Sequence, residues 1–171
     1  MRVFWRPDGL DPPWRDLEIR YRLERQQWIG RSRDEVFDFF SDASNLDALT
    51  PGWLRLRVLT PRPLEMRSEA RLDYALRLMA VPFRWRTRIA LWDPPDRFVD
   101  VQERGPYALW EHHHFFHPLE DGVLMRDVVH YALPLGRLGR LVHAIAVRSA
   151  VTAIFDYRYD RICERMPGPG T

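Results

Sequence analysis

The segment from Trp110 to His117 carries the densest set of side chains that could do chemistry, since it reads Trp-Glu-His-His-His-Phe-Phe-His. Successive side chains of a β-strand point to opposite faces, so His112 and His114 would share one face with Trp110 and Phe116. Imidazole exchanges protons near neutral pH, and a carboxylate beside it can fix its tautomer. The spacing therefore predicts a paired-histidine site on one face of a strand.

Two carboxylates and one amide are the expected neighbours of these histidines. If a hairpin follows this strand, Asp127 lies on the next strand, while Asp100 and Gln102 lie on the preceding one. We interpret His112, His114 and Asp127 as candidate catalytic residues, with Asp127 or Asp100 orienting an imidazole. The alternative is that these side chains form a hydrogen-bonded polar cluster that positions the strands without any catalytic role.

The same residues also have the composition of a metal site. Two histidines at positions i and i+2 of a strand, together with a carboxylate, offer three ligands to a transition metal. Cupin barrels hold metals with comparable spacing, but the helices expected in this chain fit a cupin poorly. We therefore expect no metal and no cofactor.

Several classes of enzyme and partner are excluded by residue type. All 26 basic residues are arginine, which removes Schiff-base, Walker-type and general-base lysines. The serines and threonines lack a nucleophile elbow, and no glycine-rich phosphate loop occurs. Arg84, Arg86 and Arg88 form an outward row on a strand without interleaved aromatic rings, so we interpret it as a solvated face and expect no nucleic-acid partner.

The single Cys163 excludes an intramolecular disulfide, and its place in a helical pattern predicts a packed thiol in a reducing compartment. No signal-type apolar segment of about seven residues begins the sequence, and no uninterrupted apolar run reaches about 18 residues. We therefore expect a cytoplasmic protein without a membrane span.

Hydropathy periods predict the elements that position these residues. Alternation from Leu17 predicts a strand to about Trp28, and Ser32 with Glu35 forms a capping box before two short helices that break near residues 41–44 and end at Pro51. About six antiparallel strands follow between residues 53 and 130. Apolar residues at helical spacing then predict one helix of about 25 residues, which ends before residue 167. Its expected inward stripe consists of Leu141, Ala144, Val147, Val151, Ile154, Phe155 and Ile162.

This order predicts an α+β domain in which a curved antiparallel sheet of about seven strands wraps around a long C-terminal helix, with two short helices after the first strand. Residues 1–16 carry three prolines and two tryptophans without periodicity, so we expect an N-terminal extension there. The domain is expected over residues 17–166, followed by a short tail at 167–171.

Two stretches carry a resemblance to a known superfamily. The sequence VFDFFSDASNLDALTP after the first strand, and more specifically residues 93–136, resemble the START/Bet v 1-like proteins, also called SRPBCC, in a bacterial branch of polyketide cyclase and dehydrase-like proteins. The resemblance implies the helix-grip fold and a cavity between sheet and helix. Such cavities bind lipids, isoprenoids, sterols or aromatic polyketides.

The inward faces of the strands and helix supply the residues expected around such a cavity. The expected ligand-binding residues are Tyr74, Leu76, Phe83, Trp85, Thr87, Asp100, Gln102, Trp110, Phe116, Val129, Tyr131, Val151 and Phe155. Aromatic and aliphatic side chains dominate this set, as in apolar ligand pockets. The sequence therefore predicts a small apolar or aromatic molecule as the partner.

Three functions are consistent with these patterns. The first is binding, transport or sequestration of a small apolar ligand, and the second is an aromatase/cyclase or dehydrase that uses the pocket His and Asp residues. The third is a structural or assembly module whose aromatic side chains fill the cavity, leaving less than the roughly 300 Å³ of a usual ligand pocket. The sequence does not set the oligomeric state.

Overall fold

The computed structural model describes residues 21–61, 63–78 and 81–168, in which seven strands form one antiparallel sheet. The strands are β1 (Tyr21–Ile29), β2 (Arg57–Val58), β3 (Arg71–Leu78), β4 (Val81–Asp93), β5 (Arg97–Arg104), β6 (Leu109–Leu119) and β7 (Gly122–Ala132). Their spatial order is β1-β7-β6-β5-β4-β3-β2. The predicted α+β helix-grip architecture is confirmed. The expected N-terminal extension, Leu17 and Ile19 lie outside the described residues.

Helix α1 (Arg33–Ser41) begins where the sequence predicts. The Ser32 hydroxyl accepts from the Glu35 backbone N–H, and the Glu35 carboxylate accepts from the Ser32 N–H at 3.0 Å. Each bond satisfies a donor that the first helical turn leaves unpaired. The apolar face of α1 buries Val36, Phe37 and Phe40 against the sheet.

The second short helix takes a 3₁₀ form after the predicted break near residues 41–44. After α1 the structure has only two 3₁₀ turns in the described chain before β2, Ala43–Asn45 and Gly52–Leu54. Asp42 adopts an extended conformation, and its carboxylate accepts from the Ser44 backbone N–H at 2.7 Å. Short polar side chains that bond to nearby backbone groups compete with helical hydrogen bonds, which explains why the chain turns here instead of continuing a helix.

The C-terminal helix consists of α2 (Gly136–Val142), a π-helical segment (His143–Val147) and α3 (Arg148–Arg165). By length and composition this helix could cross a membrane. However, α3 buries Val151, Phe155 and Ile162 in the core, as the central helix of a soluble fold does.

Two predictions about this helix are wrong. Leu141 and Ala144 are exposed, because the extra residue in a π-helical turn rotates α2 relative to α3, so that the spacing of the α3 stripe no longer applies. Cys163 is also exposed: it follows the buried Ile162 and lies at the edge of the core, with its sulfur 3.2 Å from the Gln27 amide nitrogen.

The core has two main apolar clusters. One lies under α1 and includes Ile29, Phe37, Phe98, Phe116 and Met125. The other lies under the C-terminal helix and includes Leu23, Trp85, Val129, Tyr131, Val151 and Phe155. The ring of His114 stacks on Phe98 of the first cluster, and His112 contacts the Phe155 ring of the second edge to face. The paired histidines therefore lie between the two clusters.

The arginine row of β4 lies on the outer face of the sheet. Arg86 donates twice to Asp73 at 2.8 Å, and Arg88 contacts Glu69 at 2.6 Å and Glu103 at 3.1 Å. Ion pairs between exposed side chains contribute little stability, but here they give both Arg86 and Arg88 a carboxylate partner. This arrangement agrees with the interpretation of the row as a solvated face.

Candidate functional site

A cavity of about 200 Å³ lies between the inner face of β3 to β6, the segment 40–56 and α3. Nine of the residues predicted from the sequence line it, namely Tyr74, Leu76, Trp85, Thr87, Asp100, Trp110, His112, His114 and Phe155. Its volume is smaller than the roughly 300 Å³ at which typical ligand pockets begin.

A surface groove of about 690 Å³ adjoins this cavity. The groove is lined by residues 41–44 on one side, and on the other by Val58, Thr60, Pro63, Leu64 and Met66. Ser41, Asp42, Ala43 and Met66 line both spaces, so the groove and the cavity meet there. A molecule larger than the cavity itself can therefore extend toward solvent along the groove.

The remaining predicted residues lie elsewhere in the core or at its edge. The side-chain amide of Gln102 donates a hydrogen bond of 2.7 Å to the backbone carbonyl oxygen of Tyr107. Phe83 is half-buried on β4, and Tyr131 bonds through its hydroxyl to His143 Nε2 at 2.9 Å. The other residues outside the cavity lining are Phe116, Asp127, Val129 and Val151.

His112 and His114 form a closed arrangement with two carboxylates at the wall of the cavity. Asp127 Oδ1 lies 2.9 Å from His112 Nε2 and 3.0 Å from His114 Nδ1. Asp100 Oδ2 lies 3.0 Å from His114 Nε2 and 3.6 Å from His112 Nδ1. The register explains the closure, because Asp100 pairs with His112 across β5 and β6, and His114 pairs with Asp127 across β6 and β7.

The two histidines have opposite pKa shifts. Burial, followed by the neighbouring His114, lowers the pKa of His112 to about 4. Burial also opposes protonation of His114, but the Asp100 and Asp127 carboxylates outweigh it and raise the pKa of His114 above its ordinary value of 6.5. Within the pair the proton is therefore held preferentially by His114, and His112 is the neutral imidazole.

Arg158 of α3 completes the charge balance. Burial alone would raise the pKa of Asp127, but Arg158 and the histidines lower it well below the usual range. The pKa of Asp100 is lowered by the histidines and by Arg158 against the same effect of burial. Arg158 and His114, the more readily protonated histidine, thus offset the negative charge of the two buried carboxylates, as burial requires.

Hydroxyl groups lie near this network on β3 and β4. Thr87 Oγ1 is 2.6 Å from the Tyr74 hydroxyl and accepts from Trp85 Nε1 at 3.0 Å. Burial, with a contribution from Asp100, raises the pKa of the Tyr74 hydroxyl, so this group stays protonated. These hydroxyls and the His–Asp network form one polar wall of the cavity. The segment after α1 adds the polar residues Ser41, Asp42, Asn45 and Thr50, and most of the remaining lining is apolar.

Nuclear magnetic resonance titration tests these protonation states. In ¹⁵N-detected spectra of the imidazole rings, we expect His112 to remain neutral until the pH approaches 4, and the pKa of His114 to lie above its ordinary value. Asp100→Asn should lower the pKa of His114, because the amide supplies no negative charge. The unmodified protein is the reference for this variant. A neutral His114 at pH 6 would contradict this assignment.

Two groups of side chains have the composition of a metal site. Asp100, His112 and His114 present ligand atoms within 4.8 Å of one another, and so do Glu111, His113 and His130 on the outer face of the sheet. In the first group, the hydrogen bonds to carboxylates and the charge of Arg158 compete with a divalent cation.

Sequence reasoning missed Arg158 and the contribution of the segment after α1. Arg158 lies four residues after Ile154 and four before Ile162, on the buried stripe of α3, so a charged residue at an apolar position was the available signal. Leu46, Leu49 and Leu54 line the cavity from irregular chain that has no hydrophobic period. No signal in the sequence placed them there.

Comparison with solved structures shows the same fold. A protein of Thermus thermophilus matches with a TM-score of 0.65 and 16% identity, over 84% of this chain and 98% of that one. A START superfamily protein from Mycobacterium smegmatis matches with a TM-score of 0.60 and 13% identity, over 85% and 96%. A norcoclaurine synthase point mutant from Thalictrum flavum, in complex with a transition-state analogue, has a TM-score of 0.61 and 13% identity, also over 85% and 96%.

No curated protein sequence matches this chain significantly. The profile of a protein family, described as polyketide cyclase / dehydrase and lipid transport, matches residues 29–167, which include α1, the cavity and the whole C-terminal helix. The chain therefore belongs to the polyketide cyclase/dehydrase and lipid transport family, within the START/Bet v 1-like superfamily.

Proposed function

We propose that this protein binds a small, largely apolar molecule with one hydroxyl group in the cavity between sheet and helix, in the cytoplasm. The observation that carries the proposal is the composition of the cavity lining, in which aromatic and aliphatic side chains predominate and Asp100, His112 and His114 form a buried polar wall. Apolar burial supplies affinity in such sites, and a few polar groups fix the orientation of the ligand.

The hydroxyl group follows from the tautomer of His112. Since a carboxylate only accepts hydrogen bonds, neutral His112 must carry its proton on Nε2, which donates to Asp127 at 2.9 Å. His112 Nδ1 is then an acceptor, and it lies 3.6 Å from Asp100 Oδ2, which also accepts. A ligand hydroxyl placed here would have two acceptors for its hydrogen bond, His112 Nδ1 and Asp100 Oδ2.

The dimensions favour one ring or a short chain in the cavity itself. Lipids, isoprenoids and polyketides of the classes bound by this superfamily are larger than about 200 Å³, so the rest of such a ligand would lie in the adjoining groove. Ala43 and Met66, where the two spaces meet, would then contact the middle of the molecule.

Native mass spectrometry of the purified protein, followed by organic extraction, tests the proposal. The expected result is a complex with a defined apolar molecule that leaves on extraction. If the protein is empty, titration with the neutral dye N-phenylnaphthylamine, which fluoresces in apolar surroundings, replaces this readout. A protein that is empty and does not take up the dye would overturn the proposal and favour a structural or assembly module.

An acid/base enzyme of the cyclase or dehydrase type is the second candidate. It is favoured by one observation: neutral His112 lies beside His114 at the wall of the cavity, and its Nδ1 can accept a proton while the carboxylates hold His114 in place. Such a pair would enolise a bound carbonyl compound or assist loss of water from it.

The substitution His112→Gln separates binding from catalysis. The glutamine amide can still donate to Asp127 but cannot exchange a proton, so we expect the affinity for the extracted ligand or the dye to change by less than about fivefold. Any turnover of that ligand should fall by at least about a hundredfold. His117→Gln on the exposed end of β6 is the matched control. Turnover that survives His112→Gln would remove His112 from the second candidate.

A further inference from the structure

The first half of the C-terminal helix presents an apolar face to solvent. Four large side chains at positions i, i+3, i+4 and i+7 form this surface, which we call the outer stripe: Leu138, Leu141, Val142 and Ile145 are 56%, 56%, 40% and 72% exposed. Scattered exposed apolar side chains are ordinary, but four on one helix face form a contiguous patch.

The opposite face of this helical segment is anchored, so the outer stripe cannot turn inward. Gly139 packs so closely on the preceding chain that an added Cβ would lie 2.3 Å from the Pro134 carbonyl oxygen. His143 stacks on the Tyr21 ring at 3.4 Å between centroids, and its Nε2 lies 2.9 Å from the Tyr131 hydroxyl.

The residue before the helix adds to the exposed apolar surface. Leu135 is 73% exposed and adopts a left-handed backbone conformation with φ of 71°, which is strained for a branched apolar residue. The fold therefore maintains an unfavourable backbone conformation at a position where leucine contributes no burial. Such strain is characteristic of segments kept for a purpose other than stability.

The charge around the outer stripe has one sign. Arg137, Arg140 and Arg148 are exposed, and no aspartate or glutamate occurs between residues 128 and 155. Among the residues that the structure describes, no ion pair involves these three arginines. A partner for this face must therefore combine apolar surface with negative charge.

We propose that the outer stripe docks the protein onto the surface of an anionic lipid bilayer. A helix with apolar side chains on one face and arginines beside them lies in the interface, with its apolar groups among the acyl chains and its cations at the headgroup phosphates. The helix does not need to leave the domain for this, because α3 keeps its buried contacts with the sheet.

A second copy of this chain fits the face less well. Symmetric pairing of two outer stripes would bring Arg137, Arg140 and Arg148 of both copies together, and the helix offers no carboxylate to pair with them until Asp156. Like charges in a shared interface oppose association, whereas they add to the attraction toward anionic lipid. The proposal is independent of what the cavity binds.

Vesicle flotation with the full chain tests the docking. We expect binding to vesicles of phosphatidylcholine with about one third phosphatidylglycerol, and at least about fivefold weaker binding to phosphatidylcholine alone. The double variant Leu141→Glu, Ile145→Glu should weaken binding to the anionic vesicles by at least about tenfold, because both side chains enter the bilayer interface. The matched control is Leu119→Glu, Val81→Glu, which changes two exposed apolar residues elsewhere.

Charge reversal tests the second half of the proposal. Arg137→Glu, Arg140→Glu should weaken binding to anionic vesicles by at least about tenfold, whereas Arg84→Glu, Arg104→Glu, with the same change of net charge on the sheet, should weaken it much less. The proposal is overturned by absence of binding to the anionic vesicles, by equal effects of variants and controls, or by a dimer in analytical ultracentrifugation that Leu141→Glu, Ile145→Glu dissociates.

Discussion

The double variant Leu76→Trp, Ile154→Trp is expected to bind N-phenylnaphthylamine, or the co-purifying ligand, at least about a hundredfold more weakly than the unmodified protein. Both positions line the cavity from opposite sides, Leu76 on β3 and Ile154 on α3, and both are only partly buried. Added indole rings occupy a space of about 200 Å³ and leave no room for a ligand without overpacking. Fluorescence titration measures the loss.

The control for this variant is Ala153→Trp. Residue 153 precedes Ile154 on α3 but is exposed, so the same indole ring points to solvent. Its affinity for the dye should change by less than about twofold. Far-UV circular dichroism and the unfolding midpoint show whether each variant is folded. A folded double variant with unchanged affinity would mean that the ligand lies outside this cavity.

Replacement of Asp127 by alanine is expected to lower the free energy of unfolding by about 3–5 kcal/mol. Asp127 lies between the two histidines and faces Arg158, and its side chain is only 7% exposed. Without it, His114 and Arg158 share one remaining carboxylate, Asp100, in surroundings that solvate charge poorly. Urea denaturation measures the loss.

Asp73→Ala is the matched control, since it also removes one partner of an ion pair. Asp73 and Arg86 are 43% and 45% exposed at their side chains, so we expect a loss below about 1 kcal/mol. The comparison separates the cost of leaving buried charges unpaired from the small contribution of a surface pair. Equal losses of unfolding free energy in the two variants would show that water solvates the charged network at the cavity wall.

The stability of Asp127→Ala should also respond to pH. The pKa of Asp127 is lowered in the folded protein, so its contribution is present above the ordinary carboxyl pKa of 3.8 and is lost as the pH falls through the lower folded value. The difference in unfolding free energy between the unmodified protein and Asp127→Ala should therefore shrink in acid. A difference that grows below pH 4 would contradict the assignment of an ionised Asp127.

Much of the fold was accessible from local patterns. The strand periods, the turn at residues 120–122 and the capping box of Ser32 and Glu35 agree with the structure, because each depends on residues close together in the sequence. The predicted break near residues 41–44 is also present, where the Asp42 carboxylate accepts from the backbone N–H and the hydroxyl of Ser44. The second short helix forms only as 3₁₀ turns.

Only part of the candidate site could be predicted from such local sequence patterns. The i, i+2 spacing placed His112 and His114 on one face, and the hairpin brought Asp127 beside them, as strand alternation requires. Which other residues of that face reach the cavity depends on how deeply each one packs. Phe116, Val129 and Val151 point inward, but they pack within the apolar clusters on either side of the histidines and do not line the cavity.

The amino-acid sequence by itself determined the order of the elements, the superfamily and the paired histidines, since these follow from local periods and from a run of specific residues. Tertiary structure alone decided the opposite pKa shifts of His112 and His114, the role of Arg158 and the exposure of Leu141. A pKa depends on burial and on charges brought in from distant strands and helices. The π-helical segment changes which face of α2 meets the core, because one extra residue in a turn rotates α2 relative to α3.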